Sequence, residues 1–290
     1  MSTVLSAKPV EVPGRDLQVR VSAPATGQDL PVLLFSHGFG SSLHGYGPLT
    51  DYWAAHGFVV VQPTHLDSRT LAVPPEDPRT PDIWRYRAED LVHVLDHLEA
   101  LETAVPGLSG RVDHSRIAVA GHSFGAQTAG LLLGARVLGG DDLSDKRVTA
   151  GVLLAATGRG GADLSPFAAE HFPFMNPDFT GLTTPTLVVW GERDQSALST
   201  RGPDWFTDVY HDSPGANALL TLPGAEHSLG GVAGYEAAET TDEHPGRVAL
   251  LRRVALAHLR ETLGLPEPGW AAVRAELAAN PLGRLEVKPS

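Results

Sequence analysis

A series of short apolar runs, separated by amphipathic stretches, limits what this chain can fold into. The runs are Leu17–Ala23, Pro31–Gly38, Phe58–Pro63, Arg116–Gly121, Ala150–Ala156, Thr184–Gly191 and Ala218–Gly224. Most are continuously apolar rather than alternating. That pattern belongs to parallel strands covered on both faces. Helical periodicity fills the gaps. Residues 82–102 place Ala88, Leu91, Val92, Leu95 and Leu98 on one stripe. Residues 124–138 follow a strand directly, and residues 244–264 read as a closing helix, with Pro245 at its start and Gly264 at its end. Strands alternating with helices predict an α/β fold: a doubly wound, mostly parallel sheet flanked by helices. No repeat or low-complexity linker divides the 290 residues, so a single domain spanning 1–290 is expected.

Composition narrows the function. The net charge of −12, without a Lys/Arg run, argues against nucleic acid and anionic membrane surfaces as partners. The absence of cysteine removes disulfides, thiolate metal sites and a cysteine nucleophile. The N-terminal residues lack a signal-like apolar core, and no run approaches the ~20 residues of a membrane span. A cytoplasmic location is expected, with secretion left open. Oligomeric state is not legible.

The segment Gly121-His122-Ser123-Phe124-Gly125 follows an apolar strand and opens a helix. In a strand–turn–helix of this kind, the residue at the apex is strained and its side chain is lifted from the sheet. Gly121 and Gly125 let the backbones close around it, and Ser123 becomes a candidate nucleophile. The Phe124 N–H sits at a helix N-terminus, where its donor lacks a helical partner, and can face an oxyanion. His122 lies inside the turn and points away from the apex.

A serine hydroxyl needs a base, and the base needs an orienting acid. In this architecture the acid and then the base follow the serine along the chain. Asp194 lies on a polar turn just after the strand Thr184–Gly191, with Glu192 as its competitor. His227 follows the next strand, in a loop of small residues; the other twelve of 13 histidines are read as surface, core or loop residues. A second oxyanion donor is expected from "HGFGSS" (His37–Ser42): the Phe39 N–H, with Gly38 and Gly40 allowing close approach and His37 buttressing the loop. Phe39, Phe124, His122, Trp84 and Trp190 are candidate pocket residues, Trp190 being the best suited to the core. The irregular stretches Pro63–Asp82 and Gly158–Thr184 should emerge at the same end of the sheet and shape a pocket. The second is too short for a large cap, so an open site is expected. Neither the glycine-rich loop nor the histidines match a nucleotide or metal motif, so no metal is expected.

These motifs together, "HGFGSS", "GHSFG", "WGERD" and "GAEHS", resemble the α/β-hydrolase superfamily. Within it, residues 33–68 and the Arg87-x-x-Asp90 helix are similar to the group of dienelactone hydrolase-like proteins, chlorophyllases and platelet-activating-factor acetylhydrolases. The resemblance implies ester hydrolysis by a Ser–Asp–His triad without a cofactor, acting on a small-molecule ester. Some members of the group carry the acid after the sixth strand. Here Ala155, Ala156 and Thr157 stand there, which leaves Asp194, with Asp163 in reserve. Amidase, peptidase or perhydrolase activity on the same triad, a cutinase-like polyester hydrolase, and a silent binding protein are the alternative readings.

Overall fold

The computed structural model describes residues 2–236, 241–267 and 269–289. Its core is a nine-stranded sheet. The strands in chain order are β1 (Val4–Glu11), β2 (Gln18–Pro24), β3 (Leu30–Ser36), β4 (Val59–Pro63), β5 (Val112–His122), β6 (Arg136–Val137), β7 (Val148–Leu154), β8 (Pro177–Asp178), β9 (Thr186–Gly191), β10 (Ala216–Leu222) and β11 (Arg284–Val287). The large sheet runs β1-β2-β4-β3-β5-β7-β9-β10-β11, and β6 pairs with β8 in a separate two-stranded sheet. From β4 to β10 every pairing is parallel. The helices are α1 (Gly47–Ala55), α2 (Ile83–Asp96), α3 (Leu98–Ala104), α4 (Phe124–Leu132), α5 (Pro166–His171), α6 (Asp208–Asp212), α7 (Pro245–Thr262) and α8 (Trp270–Leu277). The fold is the expected mostly parallel α/β arrangement, without a large cap. Among the described residues no helix is long and apolar enough to cross a membrane.

Burial explains the apolar runs. All of β3 and β4, and β5 from Ile117 onward, are buried. The sequence missed four strands: β6 and β8, two residues each, which pair apart from the main sheet, and the two at its margins. β1 and β11 form the two antiparallel edges, and every residue of both is half-buried or exposed. β1 also carries Lys8 and Pro9, residues suited to an edge that should not recruit another strand.

Three helix expectations are corrected. The periodic stretch 82–102 is two helices, broken at His97. There the His97 N–H bonds the Val94 carbonyl, and the ring Nδ1–H takes the His93 carbonyl that the next helical turn would have used. Val94 joins the core stripe, and Val92 is only half-buried. The helix opened at Phe124 stops at Leu132, because Gly134 turns the chain at φ +112° toward β6. Finally, α7 does not close the chain, since α8 and β11 follow it.

The strand order places the site. The chain leaves β3 toward β4 on one side and returns through β5 on the other. Crevices open at the carboxyl ends of strands where the order reverses in this way. Ser36 ends β3 and Ser123 follows β5, so both stand at this crevice.

The elbow glycines have separate duties. A Cβ on Gly121 would lie 2.1 Å from the Gly125 carbonyl oxygen, so Gly121 lets strand and helix meet. A Cβ on Gly125 would lie 2.0 Å from the Ser36 carbonyl oxygen, so Gly125 lets α4 meet the end of β3. Gly130, one turn on, has only ordinary contacts, the nearest at 3.7 Å. Gly125→Ala should therefore destabilise by ~3 kcal/mol or more, because backbone must move. Gly130→Ala should be neutral or stabilising by about 0.5–1 kcal/mol, as expected for helical glycine replacement. Thermal unfolding of the two variants measures the difference; equal effects would refute the packing argument.

Candidate active site

Ser123 occupies φ 57°, ψ −122°, a region that non-glycine residues rarely enter. The conformation is held from both sides. The Ser123 N–H donates to the Leu154 carbonyl at 2.9 Å, and its own carbonyl accepts from Ala126 N at 2.9 Å and Gln127 N at 3.2 Å. The side chain is thereby aimed at His227, whose Nε2 lies 2.8 Å from Ser123 Oγ. The other ring nitrogen, Nδ1, lies 3.0 and 3.1 Å from the two carboxylate oxygens of Asp194. With Asp194 ionised, Nδ1–H donates to it, which leaves Nε2 to accept the Ser123 hydroxyl.

Asp194 is fully buried at the end of β9, with its N–H on the Gly191 carbonyl. Burial pushes its carboxyl above the ordinary value, and the hydrogen bond from His227 works against that rise. The competing acids point elsewhere. Glu192 is taken by Arg284 at 2.7 Å and by the Gly224 N–H. Asp163 pairs with Arg201 at 3.1 Å. The loop carrying His227 has its own clamp, not foreseen from the sequence. Asp242 Oδ2 accepts from Glu226 N and Gly230 N, both at 2.9 Å, and Arg247 bonds both Asp242 and the Pro223 carbonyl.

The loop His37–Ser42 is tied down on either side of Phe39. Gly38 N–H donates to the Tyr46 hydroxyl at 3.0 Å, and Gly40 N–H donates to Asp67 Oδ2 at 3.1 Å. Behind the loop lies Arg87, fully buried. Its guanidinium bonds Asp67 at 2.6 Å, Thr128 at 3.0 Å, Ser36 at 3.1 Å and the His37 carbonyl. It also lies 4.4 Å from the centre of the Phe124 ring. One cation thus touches the segments that carry both Phe39 and Phe124. His37 buttresses the loop as expected: its Nδ1–H bonds the Gly38 carbonyl, and its Nε2 accepts from His65 N. Burial, then the charge of Arg87, holds His37 and His65 well below the ordinary imidazole value, so both rings are neutral. Asp90 accepts from His65 at 2.8 Å and pairs with Arg15 at 2.7 Å; burial pushes its carboxyl up to about 7. The Arg87-x-x-Asp90 spacing puts both side chains on the buried face of α2.

A cavity of about 1010 Å³ opens at Ser123. Phe39 and Phe124 line it, and so do both irregular stretches: Pro74, Pro75 and Pro78 from one, Phe167, Phe172 and Phe174 from the other. Trp84 and Trp190 do not. Trp84 packs in the core and Trp190 donates to Thr221 at 2.9 Å. His122 is buried beneath the elbow, away from the cavity. The proline-rich wall was visible only as an irregular stretch, since proline carries no periodic signal.

A family model described as Chlorophyllase matches residues 3–137. The chain is also 26% identical to a platelet-activating factor acetylhydrolase of Cavia porcellus, over 36% of this chain and 31% of that protein. The chain is similar to the serine-esterase group of α/β hydrolases. It spans less than a third of the guinea-pig relative. The Chlorophyllase match takes in the Phe39 loop and the turn at Ser123, but ends before Asp194 and His227. In this α/β hydrolase-like chain those two residues rest on geometry alone.

Asp67 yields a pH test. Burial pushes its carboxyl up, but Arg87 above all, with the Gly40 N–H, outweighs this and holds it at about 2, below its ordinary 3.8. A depressed folded-state value means stability that is present above the unfolded value and lost as pH falls through the folded one. That contribution should therefore disappear between about pH 4 and pH 2. Asp67→Asn should lose less stability than wild type across this window, measured by thermal unfolding; parallel curves would remove Asp67 from the account.

Proposed function

We propose that this protein is a serine carboxylesterase that hydrolyses small-molecule esters through an acyl-enzyme on Ser123. The observation that carries this reading is the 2.8 Å contact between Ser123 Oγ and His227 Nε2, with Nδ1 of the same ring on the buried Asp194 carboxylate. The names of the similar proteins, a chlorophyllase family and an acetylhydrolase, favour ester chemistry.

In the proposed cycle His227 Nε2 takes the Ser123 proton as Oγ attacks the ester carbonyl. The new imidazolium is stabilised by Asp194. The N–H groups of Phe39 and Phe124 receive the oxyanion, where preorganised donors act without reorganisation. Collapse expels the alkoxide, and His227 gives it the proton. Water then adds to the acyl-enzyme, giving its proton to His227, and Ser123 leaves with that proton as the acid is released. The residues present suffice for every proton transfer.

The cavity bears on substrate choice. Its walls are largely prolines, phenylalanines, Leu66, Val73, Met175 and Leu198; of its four carboxylates, Asp67 and Asp77 are paired to Arg87 and Arg79, and Glu76 and Glu170 are exposed. Such a wall favours an ester with one bulky apolar part.

Ser123→Ala and His227→Ala should each reduce kcat on p-nitrophenyl esters by roughly 10⁴-fold or more, and Asp194→Asn by a comparable factor. Asp163→Asn should leave it intact. Equal hydrolysis by wild type and Ser123→Ala would end the proposal. Across a series of acyl lengths, kcat/KM should rise from acetate toward longer chains, because ~0.8 kcal/mol is gained per buried CH₂. A flat or falling series would detach the cavity from substrate binding.

A further inference from the structure

His122 and Tyr46 are buried, polar and unused by the cycle above, yet they join the segments it depends on. The His227 carbonyl can only accept, so His122 Nε2, 2.8 Å away, carries a proton and donates it. The ring is neutral, so its Nδ1 accepts, and the Tyr46 hydroxyl at 2.9 Å is the donor. That same hydroxyl oxygen accepts the Gly38 N–H at 3.0 Å. The polarity of the whole chain is thus determined: Gly38 N–H to Tyr46 oxygen, Tyr46 O–H to His122 Nδ1, His122 Nε2–H to His227 carbonyl. It runs from the loop of Phe39, beneath the elbow, to the backbone of His227.

Two independent features mark Tyr46. Its backbone sits at φ 63°, a left-handed conformation uncommon for an aromatic residue. Strain of this kind persists where surrounding contacts over-determine it, and it concentrates at functional sites. Here the contacts are visible. The Tyr46 N–H donates to the Ala233 carbonyl at 2.9 Å, a second tie to the His227 loop, and its carbonyl accepts from Leu49 and Thr50 N at the start of α1. Its ring packs 4.8 Å from Phe35 on β3. A Cβ on Gly38 would approach the Tyr46 hydroxyl to 2.8 Å, so the loop is glycine where the hydroxyl must reach its backbone.

We propose that Tyr46 and His122 form a positioning relay that keeps the Phe39 oxyanion loop and the His227 loop in register on either side of Ser123. The proposal rests on the esterase reading of the site. Both side chains hydrogen-bond to the backbone of the two loops, Tyr46 at Gly38 and His122 at His227, and the His122 ring also packs 5.0 Å from the centre of the His227 ring. Burial, and then the neighbouring His227, hold the His122 ring down to about 3, so its acceptor and donor stay in place throughout the neutral range. A second cation below His227 would oppose the imidazolium formed there, and a neutral ring avoids that.

The test is Tyr46→Phe, His122→Ala and the double variant, assayed for kcat and KM on a p-nitrophenyl ester and for the labelling rate of Ser123 by a fluorophosphonate. Displacing a reacting group by about 1 Å costs on the order of 10²-fold. Tyr46→Phe should therefore lower kcat roughly 10- to 100-fold, with KM nearly unchanged and labelling slowed in parallel. Because one relay is cut in each, the double variant should be no slower than the slower single one. Wild-type kcat and labelling in Tyr46→Phe, or multiplied losses in the double variant, would overturn the relay alone. A wild-type protein inert to both ester and fluorophosphonate would overturn the reading of the site, and the relay with it. Should the variants not fold, ¹⁵N NMR of the wild-type histidines decides. A neutral His122 protonated on Nε2 from pH 5 to 8 is expected, and a cationic or Nδ1-protonated ring refutes the relay.

Discussion

Three backbones meet beneath Ser123 with no room for a Cβ between them. β5 meets α4 at Gly121, and α4 meets the end of β3 at Gly125. This contact does more than raise a hydroxyl. It brings the N-terminus of α4, and with it the Phe124 amide, against the loop that leaves β3, so the two expected oxyanion donors come from elements already in contact. The strained φ of Ser123 is the geometric consequence of turning from strand to helix in so little space. Hydrogen bonds to Leu154 on β7 and from α4 hold it there.

Close backbone packing leaves polar groups to be satisfied beneath the site. The chain meets this with connected charges rather than apolar filling. Arg87, Asp67, Asp90 and Arg15 are linked through Ser36, His65 and His37, and their strongest members are buried. Buried ion pairs contribute little net stability against apolar replacements, but removing one partner is costly because the other charge is stranded. Their value here lies in direction. Arg87 fixes the His37 carbonyl, and through Asp67 the Gly40 amide, so the loop around Phe39 has one arrangement instead of several. Asp242 and Arg247 do the same for the loop of His227. Each of these two loops is thus held by its own carboxylate–arginine pair.

Much of this was legible in the residues, and the omissions have physical reasons. The central parallel strands announced themselves because burial on both faces demands unbroken apolar runs. β1 and β11 did not, because an edge strand is half solvated and β1 carries Pro9. The elbow was legible because its glycines answer a local steric demand. Chain order and strand ends marked Asp194 and His227 as candidates, and the structure brings both to Ser123. The second tier was not. Arg87 and Asp90 stand on a helical stripe where a sequence reading expects apolar residues, and only their spacing hinted at a common face. Tyr46 reaches His122, 76 residues on, and Asp242 bonds Glu226 and Gly230 across an irregular loop, and nothing in their immediate neighbours marks them. Long-range hydrogen bonds leave no periodicity to read.

The two sides of Ser123 divide the work by polarity. On the side of Tyr46, His122 and Arg87, hydrogen bonds hold the loops of Phe39 and His227 in place. On the other, the wall is largely apolar and owes its shape to proline. Pro74, Pro75, Pro78, Pro81 and Pro173 line the cavity, and each fixes a φ angle before folding begins. A flexible apolar loop in the same place would collapse onto Phe124 and Phe174 to hide its surface from water. A proline-rich one has fewer conformations to collapse into. The cavity therefore stays open without a cap to prop it, and binding an apolar group into it requires little further ordering of the protein. Rigidity by hydrogen bonding on the polar side and by covalent restriction on the apolar side are two solutions to one requirement: a preformed site on a crevice built largely from loops.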